Sequence, residues 1–114
     1  MEKEILKELP ACPVETTLTL ISDKWKVLIL RDLMPGTKRV GELKKSIGHV
    51  TQKVLTAQLR QMEESGLLTR KVYAEVPPRV EYTLTELGYS LKPVLDAMWA
   101  WGEGYKSRLE GKTE

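Results

Sequence analysis

The hydrophobic period of this chain changes at Gly66, and the change limits what the chain can fold into. Before it, in "HVTQKVLTAQLRQMEESG", Leu55, Leu59 and Met62 recur at helical spacing. After it, "LLTRKVYAEVPPRVEYTLT" alternates with period two on either side of Pro77-Pro78. Val80, Tyr82 and Leu84 then face one way, and Arg79, Glu81 and Thr83 the other. An amphipathic helix therefore runs straight into a β-hairpin. The segment upstream is helical too. "RVGELKKSI" places Val40, Leu43 and Ile47 on one side over about two turns. Gly48 breaks it, Thr51 supplies an N-cap for the next helix, and Gly66 ends that helix as its C′ residue. Two helices across a tight glycine-containing turn make a helix-turn-helix pattern. A basic hairpin directly after it is the order of a winged helix.

The flanking segments complete an all-helical frame. Pro13 after Cys12 reads as a first-turn proline, followed by a short apolar stripe of Val14, Leu18 and Ile21. Ser22 or Asp23 can cap the next helix, "KWKVLILRDL", which ends before Pro35-Gly36. With Trp25 and the run Val27 to Leu30 it is hydrophobic almost all round, as a central buried helix is. One last long helix is expected from Thr85 to Tyr105, kinked at Pro93. Leu87, Leu91, Val94, Met98, Trp101 and Tyr105 follow one another there by alternating steps of four and three, a heptad seam. Leu95 and Trp99 beside the seam leave room for packing within the chain. A seam this long and aromatic exceeds what so small a domain covers by itself. Leu91, Val94, Met98, Trp101 and Tyr105 are therefore expected at a dimer interface. The expected fold is mainly α with a small β-hairpin wing: a single winged helix-turn-helix domain over 1–114, dimerising through its terminal helices.

Composition excludes several function classes. The chain of 114 residues fits one modest core. One cysteine builds no intrachain disulfide, as in a reducing compartment. No apolar run approaches the roughly 20 residues of a membrane span, and "MEKEILKELP" lacks the order of a signal peptide. A cytoplasmic protein without membrane contact is expected. His49 is the only histidine, it sits beside a turn, and metal-ligand spacing is absent, so neither an enzyme nor a cofactor or metal is expected.

The net charge of +2 conceals an uneven distribution. From Lys38 to Arg79 nine Lys and Arg stand against four acids, and the rest of the chain is net acidic. Positive charge concentrated around the helix-turn-helix is the footprint of a polyanion partner. The helix after Gly48 carries Lys53, Thr56, Ala57 and Arg60 opposite its apolar side, with Thr51 and Gln52 at the front edge. Residues at the start of a recognition helix meet base edges. Gln52 can pair with adenine and Lys53 with guanine, Thr56 can hydrogen-bond, and Ala57 is small enough to allow close approach or touch a thymine methyl. Arg60 suits a phosphate or a flanking guanine. Lys38 and Arg39 before the first helix of the motif, and Arg70, Lys71 and Arg79 on the hairpin arms, are expected to reach the backbone or an adjacent minor groove. Lys44 and Lys45 fit solvated or backbone positions. The alternative is a winged-helix protein-protein adaptor whose basic face is incidental. RNA is disfavoured, since no exposed aromatic platform accompanies the basic face.

Three stretches carry a family resemblance: "CPVETTLTLISDKWKVLILRDL", "TQKVLTAQLRQMEESGLLTRKVY" and "PPRVEYTLTELGYSLKPVL". The chain resembles the hxlR-type winged-helix transcriptional regulators, relatives of the MarR family, from roughly Cys12 to Gly102. Ser22-Asp23 and Val40-Gly41 stand where that family usually has two glycines and a Phe-Asn pair. The resemblance implies a homodimer binding a pseudo-palindromic double-stranded DNA operator, as repressor or activator. It also implies oxidant or electrophile sensing through a cysteine placed like Cys12. Independently, a cysteine at a helix N-terminus meets unsatisfied N–H groups that favour its thiolate. The plainer reading of Cys12 is a small, buried residue at a helix start.

Overall fold

The structure, a computed structural model, describes residues 6–112. The remainder of the expected 1–114 domain, including the first residues of "MEKEILKELP", lies outside the described residues. Helix α1 (Pro13–Ile21) starts at the expected proline. Helix α2 (Lys24–Leu33) is capped by Asp23, while Ser22 closes α1. Helix α3 (Val40–Ile47) stops at Gly48, whose φ of +97° suits a residue without a Cβ. Thr51 then caps helix α4 (Gln52–Glu64), its Oγ1 accepting from the Val54 amide at 3.1 Å. At the other end the Leu67 amide donates to the Met62 carbonyl and the Gly66 amide to the Glu63 carbonyl, with Gly66 at φ +80°. That pair of bonds is a Schellman ending, and it turns the chain directly into the hairpin.

Strands β1 (Leu68–Tyr73) and β2 (Arg79–Leu84) pair antiparallel, in register from Leu68 opposite Leu84 to Tyr73 opposite Arg79. Lys38 joins the sheet as an isolated bridge, exchanging both backbone hydrogen bonds with Tyr82 at 3.0 and 2.8 Å. The core is drawn from every helix of the motif and from the start of the hairpin. Ile29, Leu30, Leu33, Leu43, Leu55, Leu59, Met62, Leu67 and Leu68 are fully buried. Helix α2 touches α1, α3, α4 and β2, which makes it the centre of the domain. Trp25, Val27 and Leu28 on its other side are only half-buried, so its apolar surface is not enclosed all round.

The long terminal helix is divided, which corrects the expected kinked helix from Thr85 to Tyr105. A short helix α5 (Glu86–Tyr89) is followed by a break at Ser90 and Leu91, and α6 (Lys92–Lys112) then begins. Pro93 falls in the first turn of α6, where a missing N–H breaks no helical bond, rather than in a helix interior. Packing makes the division. Thr85 Oγ1 caps α5 at the Gly88 amide and donates to the Gly66 carbonyl at 2.6 Å. Gly88 lies so close to the sheet that a Cβ there would collide with the Leu67 carbonyl oxygen. Leu87 consequently leaves the seam for α5, and Leu91 packs half-buried against the core.

Helix α6 is about 31 Å long and holds no fully buried residue among those described. The radius of gyration, 16.5 Å, exceeds the about 13 Å of a compact chain of this length. No helix among the described residues is long and apolar enough to cross a membrane.

Candidate nucleic-acid interface

Burial of Leu55, Leu59 and Met62 fixes which side of α4 faces outward. Gln52, Lys53, Thr56, Ala57 and Arg60 line one continuous depression of about 400 Å³ on that side. A second depression, of about 240 Å³, lies between α4 and the hairpin and is lined by Thr56, Arg60, Glu63, Arg70 and Tyr82. Thr56 and Arg60 border both, so the helix face and the base of the wing form one surface. Two hydrogen bonds hold that geometry. Besides the Thr85 bond to the end of α4, Thr37 and Thr83 share a hydroxyl hydrogen bond of 2.7 Å.

Strand alternation splits the basic residues of the hairpin between its two faces. Arg70 lies opposite Tyr82 and beside α4. Lys71 and Tyr73, opposite Glu81 and Arg79, belong to the other face of the ribbon. There the Lys71 ammonium and the Arg79 guanidinium stand 4.9 and 4.0 Å from the centre of the Tyr73 ring. Arg79 also pairs with Glu75 at 3.4 Å and Glu81 at 3.6 Å. Its charge is shared with these two carboxylates.

The remaining expected contacts differ in availability. Among the described residues Lys53, Arg60 and Arg70 form no ion pair, which leaves their charge for phosphate. Thr51 and Gln52 are exposed at the front of α4. Arg39 is the exposed N-cap of α3 and borders, with Lys45, Pro78 and Arg79, a depression of about 480 Å³ under the hairpin tip. Lys38 is tied to Tyr82 by its backbone, and its charge helps to stabilise the Asp32 carboxylate.

Two polar contacts join elements in ways the sequence reading missed. Gln58 Nε2 donates to Asp23 Oδ2 at 2.8 Å, across 35 positions. Asp32 accepts from Arg31 Nε and from Ser46 Oγ, each at 2.6 Å, pinning α3 to α2. Burial pushes the Asp32 carboxyl up. The hydrogen bonds from Arg31 and Ser46, with the charges of Arg31 and Lys38, outweigh it and hold the group below its ordinary value. The only local signal for the first contact was a glutamine at the boundary between the apolar and polar sides of α4.

At the other end of the molecule Val94, Met98, Trp101 and Tyr105 are exposed along α6. The Trp101 and Tyr105 rings stack, 5.5 Å apart and 9° from parallel. Trp99 is exposed as well, so only Leu91 and Leu95 at the helix start pack against the core. Val14 and Leu18 leave the outer side of α1 equally uncovered. Cys12 is exposed rather than buried, which overturns its plainer reading. The amides of Glu15 and then Val14 at the start of α1 hold its thiol below the ordinary value.

The chain matches the HxlR-like helix-turn-helix family over residues 20–110. The uncharacterized HTH-type transcriptional regulator YdeP of Bacillus subtilis (strain 168) is 48% identical over 103 residues, covering 90% of this chain and 80% of that protein. The structure of the redox regulator HypR in its reduced form superposes with a TM-score of 0.82 at 43% identity, over 88% of this chain and 99% of that one. HypR in its oxidized form gives a TM-score of 0.76 at 45% identity, over 82% and 96%. A winged helix-turn-helix with this match over most of its length belongs to the HxlR-like helix-turn-helix family of transcriptional regulators.

Proposed function

We propose that the protein is a sequence-specific DNA-binding regulator that acts as a homodimer on a pseudo-palindromic operator. The observation that carries this reading is the surface shared by α4 and the wing base, on which Lys53, Arg60 and Arg70 form no ion pair among the described residues. Thr51, Gln52, Lys53 and Thr56 read base edges in the major groove, with Ala57 permitting close approach. Arg60 and Arg70 hold phosphates on either side of the cleft between helix and hairpin. Lys38, Arg39, Lys71 and Arg79 supply weaker backbone contacts, Arg79 the weakest because Glu75 and Glu81 already share its charge.

Two copies pair through Val94, Met98, Trp101 and Tyr105 of α6, with the uncovered side of α1 adding to the contact. Cys12 is the redox-responsive group. Its thiolate attacks a small-molecule disulfide, forming a mixed disulfide and releasing the other half as a thiolate. The product lies at the start of α1 and alters the spacing of the two recognition helices. Exposure of Cys12, its lowered pKa and the likeness to HypR support this assignment.

The test is selection of duplexes from a random pool, followed by binding titrations across salt concentrations. Enrichment of an inverted repeat, with affinity falling steeply as salt rises, is the expected result. Operator affinity should fall on treatment with oxidised glutathione and stay unchanged in Cys12→Ser. Recovery of no enriched sequence contradicts DNA recognition. Full affinity with Cys12 shown modified by mass spectrometry contradicts the switch alone.

A further inference from the structure

The first turn of α2 reaches both parts of the DNA-reading unit. Asp23 gives its two carboxylate oxygens different tasks. Oδ1 accepts from the Trp25 amide at 2.7 Å and caps α2, while Oδ2 accepts from Gln58 Nε2 at 2.8 Å. Trp25 meets His49 edge-on, with ring centres 5.6 Å apart. His49 lies in the turn before α4, and Gln58 lies within α4. On the other side, Ser22 alone separates Asp23 from Ile21, the last residue of α1. A rotation of α1 has almost no slack to absorb it before Asp23 moves.

We infer that Asp23 and Gln58 are positioning residues for DNA recognition. The bridge between them fixes the rotation of α4 against α2 and carries the setting of α1 to the base-reading face. This rests on the DNA-binding function proposed above, and adds how that function is oriented and controlled. The physical argument is one of direction. Burial of Leu55, Leu59 and Met62 chooses the outward side of α4, but apolar attraction is non-directional and sets the exact angle only coarsely. A hydrogen bond does have one. The bridge is part-buried, so water competes poorly for it. The Gln58 Oε1 is buried without a hydrogen-bond partner among the described residues, and the bond from Nε2 to Asp23 orients this amide.

The chemistry of the pair separates positioning from plain stability. Asp23→Ser keeps an N-cap of similar quality but is too short to reach Gln58. Gln58→Leu removes the bond from the other side and leaves an apolar group in a part-buried place. Asp23→Asn keeps the cap through Oδ1, and its amide donates to Gln58 once that side chain turns over to present Oε1.

The readout is the affinity ratio between a duplex enriched by the wild-type protein and a scrambled duplex, recorded with the thermal midpoint of each variant. Asp23→Ser and Gln58→Leu should each lose about tenfold of that ratio, the size of one weakened base contact. Binding to the scrambled duplex should be unchanged. Asp23→Asn should stay within about twofold of wild type, the scatter of independent substitutions. Ratios that hold in Asp23→Ser and Gln58→Leu while only the thermal midpoint falls would overturn the inference, as would an equal loss in Asp23→Asn. If the wild-type protein enriches no duplex, the proposed function fails and takes this inference with it. An enriched duplex bound with unchanged preference overturns the inference alone.

Discussion

Helices α4 and α6 each carry an apolar stripe, and the chain treats the two in opposite ways. On α4, Leu55, Leu59 and Met62 are sealed against the rest of the core, so polar and charged side chains with the small Ala57 remain outside. On α6 the apolar side chains themselves stay outside, with Trp101 72% and Trp99 67% exposed. The difference lies in what each helix still lacks. Helix α4 has its packing partner within the chain, and its outer face is the one proposed to meet DNA. Helix α6 still needs an apolar partner, and an exposed aromatic face of this kind marks an association surface. On the proposed function, recognition is built on a finished core, whereas assembly completes an unfinished one.

Substitutions on the two stripes should separate these roles. The largest effect is expected from Met98→Glu combined with Trp101→Glu, which places unpaired charge at the proposed dimer interface at about 3–5 kcal/mol or more. Sedimentation should show a monomer that keeps its helical signal, with a thermal midpoint no longer dependent on concentration. A double variant that remains dimeric would break the comparison by placing the interface elsewhere. Leu59→Ala acts on the stripe that is already buried. It should destabilise the fold by about 2–5 kcal/mol in denaturant titrations, with subunit contacts unaffected. A loss well below that range would mean that α4 is less firmly seated than its burial indicates.

Changes on the outer face of α4 should leave folding alone. Lys53→Ala should cost about 1–3 kcal/mol on the enriched duplex and much less on random DNA. Equal losses on both would demote Lys53 to a backbone contact. Arg70→Ala should lower the salt slope by about one contact, and Arg79→Ala by less, because Arg79 is already paired within the wing. A larger drop for Arg79 would reverse the assignment of the two hairpin faces.

The smallest effect concerns Asp32, beneath the motif. Its folded carboxyl titrates below its ordinary value, so the stabilisation from Arg31 and Ser46 is complete above about pH 4–5 and is lost as pH falls through the lower, folded value. Asp32→Asn should lower stability slightly near pH 7, by under about 1 kcal/mol, because the Arg31 partner is half-exposed and screened by solvent. The gap to wild type should close below pH 4. A gap that widens on acidification would contradict the sign of the shift.

Much of this was readable from local chemistry, because the decisive groups are neighbours in sequence. Pro13, Thr51 and Gly66 each act within one turn of their own position, and the two faces of the hairpin's second arm follow from period two. The same period also separates Arg70 from Lys71, but a run of adjacent cations reads as a single patch and hides the alternation. The break before α6 was not legible. Pro93 fits either a kink or a helix start, and the choice is made by Thr85 and Gly88 packing against Gly66 and Leu67. The Asp23 bridge was hidden for a similar reason. Asp23 announces itself as a cap, while its second oxygen finds Gln58 only after α2 and α4 have packed.

The central claim is that two copies of the α4 face meet one duplex, held at a fixed separation by α6. Hydroxyl-radical footprinting on the enriched duplex tests it most directly. The account predicts two protected patches about 34–36 Å apart, one helical turn, related by the two-fold symmetry of the site. Both should vanish together in the Met98→Glu and Trp101→Glu double variant at concentrations where the wild-type protein protects fully. A single protected patch, or two patches that persist unchanged in that variant, would contradict it.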